Sequence, residues 1–363
     1  MRVTAASAMH LADLRSRLLS LGAKPPHLQR LMRRWVQALP QDGGRQRAED
    51  VLPRALREGL PALLAELDAL LRLQSAHAAD DGSERLLLAL ADGQTIESVL
   101  LPRAGLCVST QVGCAVGCVF CMTGQGGLLR QLGSAEIVAQ VVLARRRRPV
   151  AKVVFMGMGE PAHNLDAVMA AIALLGSAGG IGHKNLVFST VGDLRAFDRL
   201  AQGPVKPALA LSLHSTFAAR RAELLPRAPR IAPEELVERA EAYARATGYP
   251  VQYQWTLIEG VNDGADELDG IVRLLHGKYA IMNMIPFNAV DGMAWRRPSA
   301  ERAAEIARTL HRRGVLTKLR RSAGQDIDGG CGQLRARVLA GGPGPALAGA
   351  AARTRPPIAI RPA

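Results

Sequence analysis

From Leu106 onward, short apolar segments alternate with segments of helical periodicity. The apolar segments fall near residues 106–110, 152–156, 185–190, 208–213, 251–258, 280–286 and 315–319. Between them lie helical patterns, including 134–147, 164–175, 233–246 and 299–313, with Ser134 and Ser299 as candidate N-caps. Strands that alternate with helices form a parallel sheet covered by helices. We therefore predict an α/β fold in which six strand–helix units and a last strand form a partial (β/α)6 barrel.

Three smaller regions are predicted around this core, which we expect to span residues 102–337. Residues 1–83 show mainly three- and four-residue apolar spacing and are predicted to form a small helical accessory domain. Apolar runs on both sides of Asp92-Gly93 predict a β-hairpin over residues 84–101. Residues 338–363 are rich in Gly, Pro and Ala without any period, and are predicted to be a disordered basic tail.

The net charge of +14 limits the classes of partner. The segment after Cys331 carries five Arg and no acidic residue, so the rest of the chain keeps a charge of +9. Such a surplus is typical of binding to phosphate backbones or anionic membrane surfaces, and a cationic surface without a partner is the alternative. The Arg145–Arg148 run is too short for a basic membrane helix, and no run of 18 apolar residues is present. Asp13 interrupts any secretory signal early, so we expect a cytoplasmic protein with no membrane partner.

Cysteine spacing gives the strongest chemical signal. Cys114, Cys118 and Cys121 form a C-x3-C-x2-C loop, while Cys107 and Cys331 stand apart. An odd number of cysteines in a cytosolic chain argues against a disulfide framework. A structural zinc site needs four ligands, and bacterial ferredoxins use a C-x2-C-x2-C run with a further cysteine. Three thiolates on one loop would instead hold three irons of a [4Fe–4S] cluster and leave the fourth iron open. A zinc loop that borrows a fourth ligand, or a chance cluster, is the alternative.

Further polar motifs follow the predicted strands, where β/α barrels place their functional residues. The first is the sequence GMGEP at 157–161, in which a glycine lets the backbone approach a ligand closely. Glu160 in this motif can accept a charge-assisted hydrogen bond from an ammonium group. Taken alone, GMGEP would equally be a tight turn with a solvated glutamate. The later strands end in Ser189-Thr190, Ser212-Leu213-His214 and Asn288.

The cysteine spacing, with an aromatic residue before the last cysteine, resembles the radical S-adenosylmethionine (SAM) superfamily. The resemblance implies a radical SAM barrel in which the amino and carboxylate groups of SAM bind the open iron. One electron from the cluster then cleaves SAM to a 5′-deoxyadenosyl radical. It also implies that Cys114, Cys118 and Cys121 bind the cluster. The implied SAM contacts are Gly159, Glu160, Ser189, Ser212, Leu213, His214 and Asn288.

The segments CVSTQVGC at 107–114 and GQDIDGGCGQL at 324–334 resemble the RlmN/Cfr family of radical SAM RNA methyltransferases. The resemblance extends over roughly 85–337 and includes EGVND at 259–263 and IPFN at 285–288. It implies methylation of an adenine ring carbon, with C2 favoured, in 23S rRNA or also tRNA. The accessory domain 1–83 then becomes a candidate RNA-binding region.

The resemblance also implies a mechanism. Cys331 takes a methyl group from one SAM, and the radical from a second SAM activates that methyl for addition to adenine. Cys107 then attacks Cys331, forms a transient disulfide and releases the product, and a thiol reductant resets the pair. Glu97 is the implied proton acceptor, and a flavodoxin-type protein the implied electron donor.

Three departures from the family pattern leave alternatives open. The segment STVGDLRAF lacks a proline common in relatives, Gly329-Gly330 replaces Ala-Ala, and Ser322-Ala323-Gly324 replaces Ser-Arg-Gly. Methylation at C8, or of another RNA, is therefore a second hypothesis. A non-catalytic iron–sulfur protein that binds RNA is a third, but it would need neither Cys107 nor Cys331.

Overall fold

The computed structural model describes residues 8–42, 51–290 and 293–336. Its strands form one ten-stranded sheet in the order β1-β2-β3-β4-β7-β8-β9-β10-β11-β12, and β5 pairs with β6 separately. The strands are β1 (Leu71–Ala78), β2 (Glu84–Leu90), β3 (Thr95–Leu101), β4 (Gly105–Cys107), β5 (Gln111–Gly113), β6 (Leu128–Gln131), β7 (Lys152–Phe155), β8 (Leu186–Thr190), β9 (Ala208–Ser212), β10 (Val251–Leu257), β11 (Ala280–Pro286) and β12 (Thr317–Leu319).

Helices connect the strands and precede them. The described helices are α1 (Leu11–Ser20), α2 (Pro25–Val36), α3 (Arg54–Ala69), α4 (Ser134–Arg147), α5 (Leu165–Gly176), α6 (Leu194–Gln202), α7 (Ala218–Leu224), α8 (Pro233–Thr247), α9 (Ala265–Leu275) and α10 (Ala300–Arg312). Within the ten-stranded sheet, all pairings from β4 through β12 are parallel, while β5 and β6 pair antiparallel outside it. The predicted α/β fold, with six strand–helix units and a last strand, is therefore confirmed.

Side-chain patterns explain why these segments form a curved, covered sheet. Along β10, Val251, Tyr253 and Trp255 are fully buried, while the alternate residues are half-buried. Successive residues of a strand point to opposite faces, so one face packs against helices and the other lines the barrel interior. Helix α4 is buried along most of its length because the barrel covers one side and the N-terminal helices the other. The N-terminal helices and the barrel therefore share one hydrophobic core.

The prediction of an all-helical segment 1–83 is wrong at its C-terminal end. Residues 71–78 form β1, which pairs antiparallel with β2 and makes the extension three-stranded. The sequence LRLQSAHA alternates in burial with a period of two, and Ser75 and His77 are weaker helix formers than alanine. In the sequence, this short alternation directly follows the helical period of α3. The strand that pairs with it, β2, lies later in the chain. The hairpin predicted over 84–101 is confirmed as β2 and β3.

One of the two predicted helix caps is also wrong. Gly133, and not Ser134, is the N-cap of α4, and the Glu136 carboxylate accepts a hydrogen bond from its N–H at 2.7 Å. The Ser134 hydroxyl instead accepts a hydrogen bond from the Leu11 N–H at 2.8 Å and so fastens α1 to the barrel. Ser299 is confirmed as the cap of α10.

The arginine run at the end of α4 joins separate parts of the chain. The Arg145 guanidinium donates to the Val36 carbonyl at 2.7 Å, and Arg147 forms an ion pair with Glu84 at 2.5 Å. These contacts hold α2 and the antiparallel extension to the barrel. Arg146 and Arg148 likewise contact Asp68 and the Leu101 carbonyl, so all four arginines of the run bind other segments of the protein.

After β12, the chain crosses to the antiparallel extension. The Gly324 N–H donates to Asp81 at 3.1 Å, and the N–H groups of Arg335 and Ala336 donate to Glu97 at 2.8 and 3.1 Å. We call residues 322–336 the closing loop, because it bridges the two ends of the sheet. The predicted tail 338–363 lies outside the described residues. No helix among the described residues is long and apolar enough to cross a membrane.

Candidate active site

The three clustered cysteines lie on a tight loop that follows β5. Gly113 has a φ of +78°, and a Cβ there would lie 2.0 Å from the Gly127 carbonyl oxygen, so only glycine fits. The loop packs into a second hydrophobic cluster that includes Phe120 and Phe287. The thiols of Cys114, Cys118 and Cys121 are free and at most half exposed. The backbone is thus held in one shape and the thiols face a largely dry site.

The donor set fits a [4Fe–4S] cluster. The Cys118 thiol interacts electrostatically with both Cys121 and Cys114, so the three sulfurs lie near one another. Burial raises the pKa of Cys114 to about 12, and it also raises the pKa of Cys118 and Cys121. These thiols therefore need a strong cationic partner to ionise, which iron supplies.

The same geometry does not suit a single metal ion. No three His, Cys, Asp or Glu side chains converge on one ion position within residues 8–42, 51–290 and 293–336. A zinc site brings four ligands to one centre, whereas a cubane binds each thiolate to a different iron. Three thiols on one loop match the cluster, which takes one thiolate per iron, whereas a zinc loop would need a fourth ligand from elsewhere.

Arg221 is a buried cation beside the cluster loop that sequence analysis missed. It lies on α7, is 3% exposed, and donates to the carbonyl groups of Val191 and Ser212. Burial lowers its pKa to about 10, while the nearby Cys118 and Glu160 oppose this shift. Its Nε has no hydrogen-bond partner among the described residues. Only the pairing of two arginines on a short helix marked this position in the sequence.

The GMGEP motif packs directly against the segment before the cluster loop. A Cβ on Gly157 would lie 2.8 Å from the Ser109 hydroxyl oxygen, and Gly159 has a φ of +103°. The Glu160 carboxylate is buried and accepts N–H hydrogen bonds from Ala162 and Val191, each at 3.0 Å. Burial raises the pKa of Glu160 to about 7. A buried carboxylate of this kind would be stabilised by an ammonium group placed beside it.

His214 lies at the end of β9, next to the cluster loop. Its Nδ1 accepts a hydrogen bond from the Thr256 N–H at 2.9 Å, and its ring centroid is 4.8 Å from that of Phe120. Burial lowers the pKa of His214 to about 3, so the ring is neutral. Because Nδ1 accepts, Nε2 carries the proton and can donate to a ligand.

The other predicted SAM contacts also lie at strand ends on this side of the barrel. Ser189 and Ser212 are half-buried on β8 and β9. The Leu213 side chain is fully buried in the core, so only its backbone can meet a ligand. The structure therefore brings the residues predicted on separate strands to one edge of the sheet.

Asn288 links this edge to the closing loop. Its Nδ2 donates to the Ser322 hydroxyl oxygen at 2.7 Å and to the Cys331 carbonyl oxygen at 2.9 Å. Its Oδ1 is buried and has no partner among the described residues. An orphaned buried acceptor is costly, so this oxygen is available for a hydrogen bond from a ligand.

The two separate cysteines meet beside the cluster loop. Cys107 ends β4, and burial together with the nearby Cys331 raises its pKa to about 12. The Cys331 side chain is exposed to solvent, yet surrounding protein and the nearby Cys121 raise its pKa, while Ser322 and Arg320 oppose the shift. The Met122 N–H donates to the Gly332 carbonyl at 2.8 Å and fixes the closing loop to the cluster loop. The Cys331 thiol is therefore close to the buried Cys107 thiol and to the cluster cysteine Cys121.

Glu97 is fully buried under the closing loop. One carboxylate oxygen pairs with Arg85, and the other accepts the N–H groups of Arg335 and Ala336. Burial raises the pKa of Glu97, and Arg85 opposes this. The carboxylate thus holds the backbone of the closing loop, and its predicted role as proton acceptor stays a prediction.

Comparison with known proteins shows the class to which this chain belongs. The model of the radical SAM superfamily matches residues 108–275. A radical SAM methyltransferase from Sphaerobacter thermophilus has a similar crystal structure, with a TM-score of 0.79 and 36% identity over 92% of this chain and 99% of that chain. The family match and this similar structure identify the chain as a radical SAM methyltransferase.

Proteins named as probable RNA methyltransferases are more similar still. The relative in Methylibium petroleiphilum is 74% identical over 92% of this chain and 94% of its own, and that in Leptothrix cholodnii is 72% identical over 92% and 96%. The Pseudomonas aeruginosa PAO1 relative is 68% identical over 92% and 97%. The chain belongs to this family of radical SAM RNA methyltransferases.

Proposed function

We propose that this protein methylates a ring carbon of adenine in RNA, with C2 favoured, through a methyl group carried on Cys331. The observation that supports this is the nearness of the Cys331 thiol to both Cys107 and the cluster cysteine Cys121. A protein that only bound RNA would need neither Cys107 nor Cys331 in this position.

The chemistry of adenine explains why such a site is needed. C2 and C8 are electron-poor amidine carbons and do not attack SAM as nucleophiles. When bound, the cluster and SAM supply a methyl donor and a 5′-deoxyadenosyl radical. The protein must therefore hold a methyl group where a radical can activate it, next to the base.

Cys331 is suited to carry this methyl group. Its side chain can be reached from solvent, and the Ser322 hydroxyl and the Arg320 cation both favour the thiolate. The Asn288 hydrogen bond to its carbonyl holds the backbone in place. Cys331 takes the methyl from a first SAM, and a second SAM then activates it, so each turnover uses two SAM molecules.

Cys107 is suited to release the product. Its thiol is buried and its pKa is about 12, so the thiol stays protonated at neutral pH. A protonated thiol is a poor nucleophile, which keeps Cys107 from reacting before the adduct with adenine has formed. Attack of the Cys107 sulfur on the Cys331 sulfur forms a disulfide and breaks the bond from Cys331 to the methyl-derived carbon. That carbon keeps the bonding electron pair and takes up the proton that the Cys107 thiol releases, which completes the methyl group on adenine. A thiol reductant then restores both cysteines.

The remaining polar residues position SAM. The Glu160 carboxylate accepts a hydrogen bond from the SAM ammonium, and Gly159 lets the backbone approach SAM closely. His214 donates a hydrogen bond to SAM from Nε2. Ser189, Ser212, the Leu213 backbone and the Asn288 Oδ1 complete the contacts. Cys114, Cys118 and Cys121 hold the cluster.

The RNA target is proposed to be 23S rRNA, with tRNA as a further substrate. The charge of +14 supports a phosphate-rich partner. We place the reaction in the cytoplasm, with a flavodoxin-type protein as electron donor.

Nucleoside mass spectrometry tests this function. Reconstituted protein is incubated with rRNA and tRNA from cells that lack the gene, together with SAM and a reductant. We expect 2-methyladenosine, and equal amounts of S-adenosylhomocysteine and 5′-deoxyadenosine. Formation of 8-methyladenosine would identify the C8 alternative, and no methylated adenine in either RNA would contradict the proposal.

A further inference from the structure

Three cationic side chains lie on the barrel face that carries Cys107. In β7, Lys152 is two residues before Val154, which pairs in register with Cys107 of β4. Alternate residues of a strand share a face, and so do residues paired in a parallel sheet, so Lys152 and Cys107 point to the same side. The barrel interior therefore contains a lysine below the site of the two reactive thiols.

The other two cations lie on β12 and directly after it. Lys318 pairs in register with Asn283 of β11, and Arg320 follows two residues later on the same face. Lys318 and Arg320 both interact electrostatically with Lys152, although β12 and β7 are separated by four strands in the sheet. The curvature of the barrel therefore brings the three side chains together. We call Lys152, Lys318 and Arg320 the lumen cations.

The lumen cations lack the anionic partners that neighbouring basic residues have. None of the three forms an ion pair or a side-chain hydrogen bond with any residue in the described ranges. By contrast, Arg335 on the closing loop pairs with Asp328 at 3.1 Å. Burial, together with Arg320 and Lys318, lowers the pKa of Lys152. Three like charges held together without a counterion are destabilising unless an anion joins them.

The lumen cations extend from the exposed edge of the sheet to Cys331, the thiol that is proposed to carry the methyl group. Lys318 and Arg320 are exposed, because β12 is the last strand of the sheet and pairs only with β11. Arg320 interacts with the Cys331 thiol, and Ser322 two residues later bonds to Asn288. An anion bound to these cations would lie beside Cys331. A longer polyanion could bind there and still extend into solvent.

We propose that Lys152, Lys318 and Arg320 bind backbone phosphates of the substrate RNA next to the target adenine. RNA carries one phosphate per nucleotide, so a strand that enters along β12 places phosphates on the lumen cations while a base reaches Cys331. The identity of the anion as RNA rests on the proposed function. The net charge of +14 attracts such a strand from a distance.

Salt-dependent RNA binding by the holoenzyme tests this surface. The probe is a fluorescein-labelled single-stranded RNA, followed by anisotropy. In Lys318→Gln, the slope of log affinity against log salt should fall by about 0.7, and the affinity at about 0.1 M salt by about fivefold. In Lys318→Gln/Arg320→Gln, both effects should roughly double in logarithmic terms. The difference from wild type should vanish near 1 M salt.

Lys184→Gln is the matched control. Lys184 is exposed, forms no ion pair with the described residues, and lies on the turn before β8. The change removes the same charge at the N-terminal end of β8, away from β12 and from Cys331, so the affinity should stay within about twofold of wild type. Arg320→Lys keeps the charge and should keep the slope. Visible absorbance of the cluster verifies that each variant is folded.

The outcomes separate this inference from the proposed function, because binding is measured without methyl transfer. Equal slopes for wild type, Lys184→Gln and the double variant would overturn the phosphate surface, even if wild type methylates adenine. Reduced slopes in the lumen variants, with no methyladenine formed by wild type, would support the surface and overturn the proposed function. A wild-type protein that does not bind RNA would contradict both.

Discussion

Replacing Glu97 with glutamine should release the backbone segment that carries Cys331. Glu97 and Arg85 are 0% and 1% exposed, and the other Glu97 oxygen accepts two N–H groups from the closing loop. Glutamine has one acceptor oxygen and one donor nitrogen. Its nitrogen must therefore face either the Arg85 guanidinium or the N–H groups of Arg335 and Ala336.

The size of this effect follows from the burial of the pair. Breaking a buried ion pair by removing one charge costs about 3–5 kcal/mol. A cost of about 3 kcal/mol that falls on the closing loop corresponds to roughly 100-fold faster amide hydrogen exchange at Arg335 and Ala336. Glu84→Gln, which breaks the more exposed pair with Arg147, should cost less than about 1 kcal/mol and leave these amides protected.

The extent of Cys331 methylation in Glu97→Gln distinguishes a positioning role of Glu97 from a role as proton acceptor. If Glu97 positions the closing loop, Glu97→Gln should lower the fraction of Cys331 that becomes S-methylcysteine, as measured by peptide mass spectrometry. If Glu97 is only a proton acceptor, Cys331 should be methylated fully and transfer to adenine should fail. Unchanged exchange at Arg335 and Ala336 in a folded variant would refute the positioning argument.

Two further predictions concern the cluster region. Anaerobically reconstituted wild type should bind about four irons and show broad visible absorbance. Cys118→Ala should lose the irons and the absorbance, while Cys331→Ala should keep both. A full cluster in Cys118→Ala would contradict the ligand assignment. In the cluster-free protein the folded-state pKa of Glu160 is about 7, above its usual value, so this group stabilises the fold at acid pH. That contribution, up to about 3 kcal/mol, should be lost as pH rises from about 4.5 to 7. Urea unfolding of Glu160→Gln should lack this part of the pH dependence, and an identical profile would contradict the burial of Glu160.

Much of the fold could be predicted because its signals are local. Each β/α unit carries its own apolar run and helical period, so the parallel strands and α4, α8 and α10 were predicted to within a few residues. β1 was missed because its identity as a strand depends on pairing with β2 and not on a distinct pattern. The role of Ser134 was missed for a similar reason, since its partner Leu11 lies 123 residues earlier.

The candidate site divides in the same way. The cysteine loop and GMGEP are compact motifs whose spacing alone indicates their chemistry. The contacts of Glu97 with Arg335, 238 residues away, leave no trace in either segment. Arg221 and the lumen cations are ordinary basic residues in the sequence, and only the curvature of the barrel brings Lys152 to β12.

Covalent trapping of RNA by Cys107→Ala tests the central claim that Cys331 carries the methyl group and Cys107 releases the product. Cys107 is 9% exposed, so its truncation should cost only about 1 kcal/mol and leave the fold intact. The variant should be methylated on Cys331 and should add to adenine, but it lacks the thiol that resolves the adduct. On a denaturing gel it should therefore form a slow, nuclease-sensitive band that maps to Cys331, and Cys331→Ala should form none. Full methyl transfer by Cys107→Ala, without a trapped species, would contradict the account.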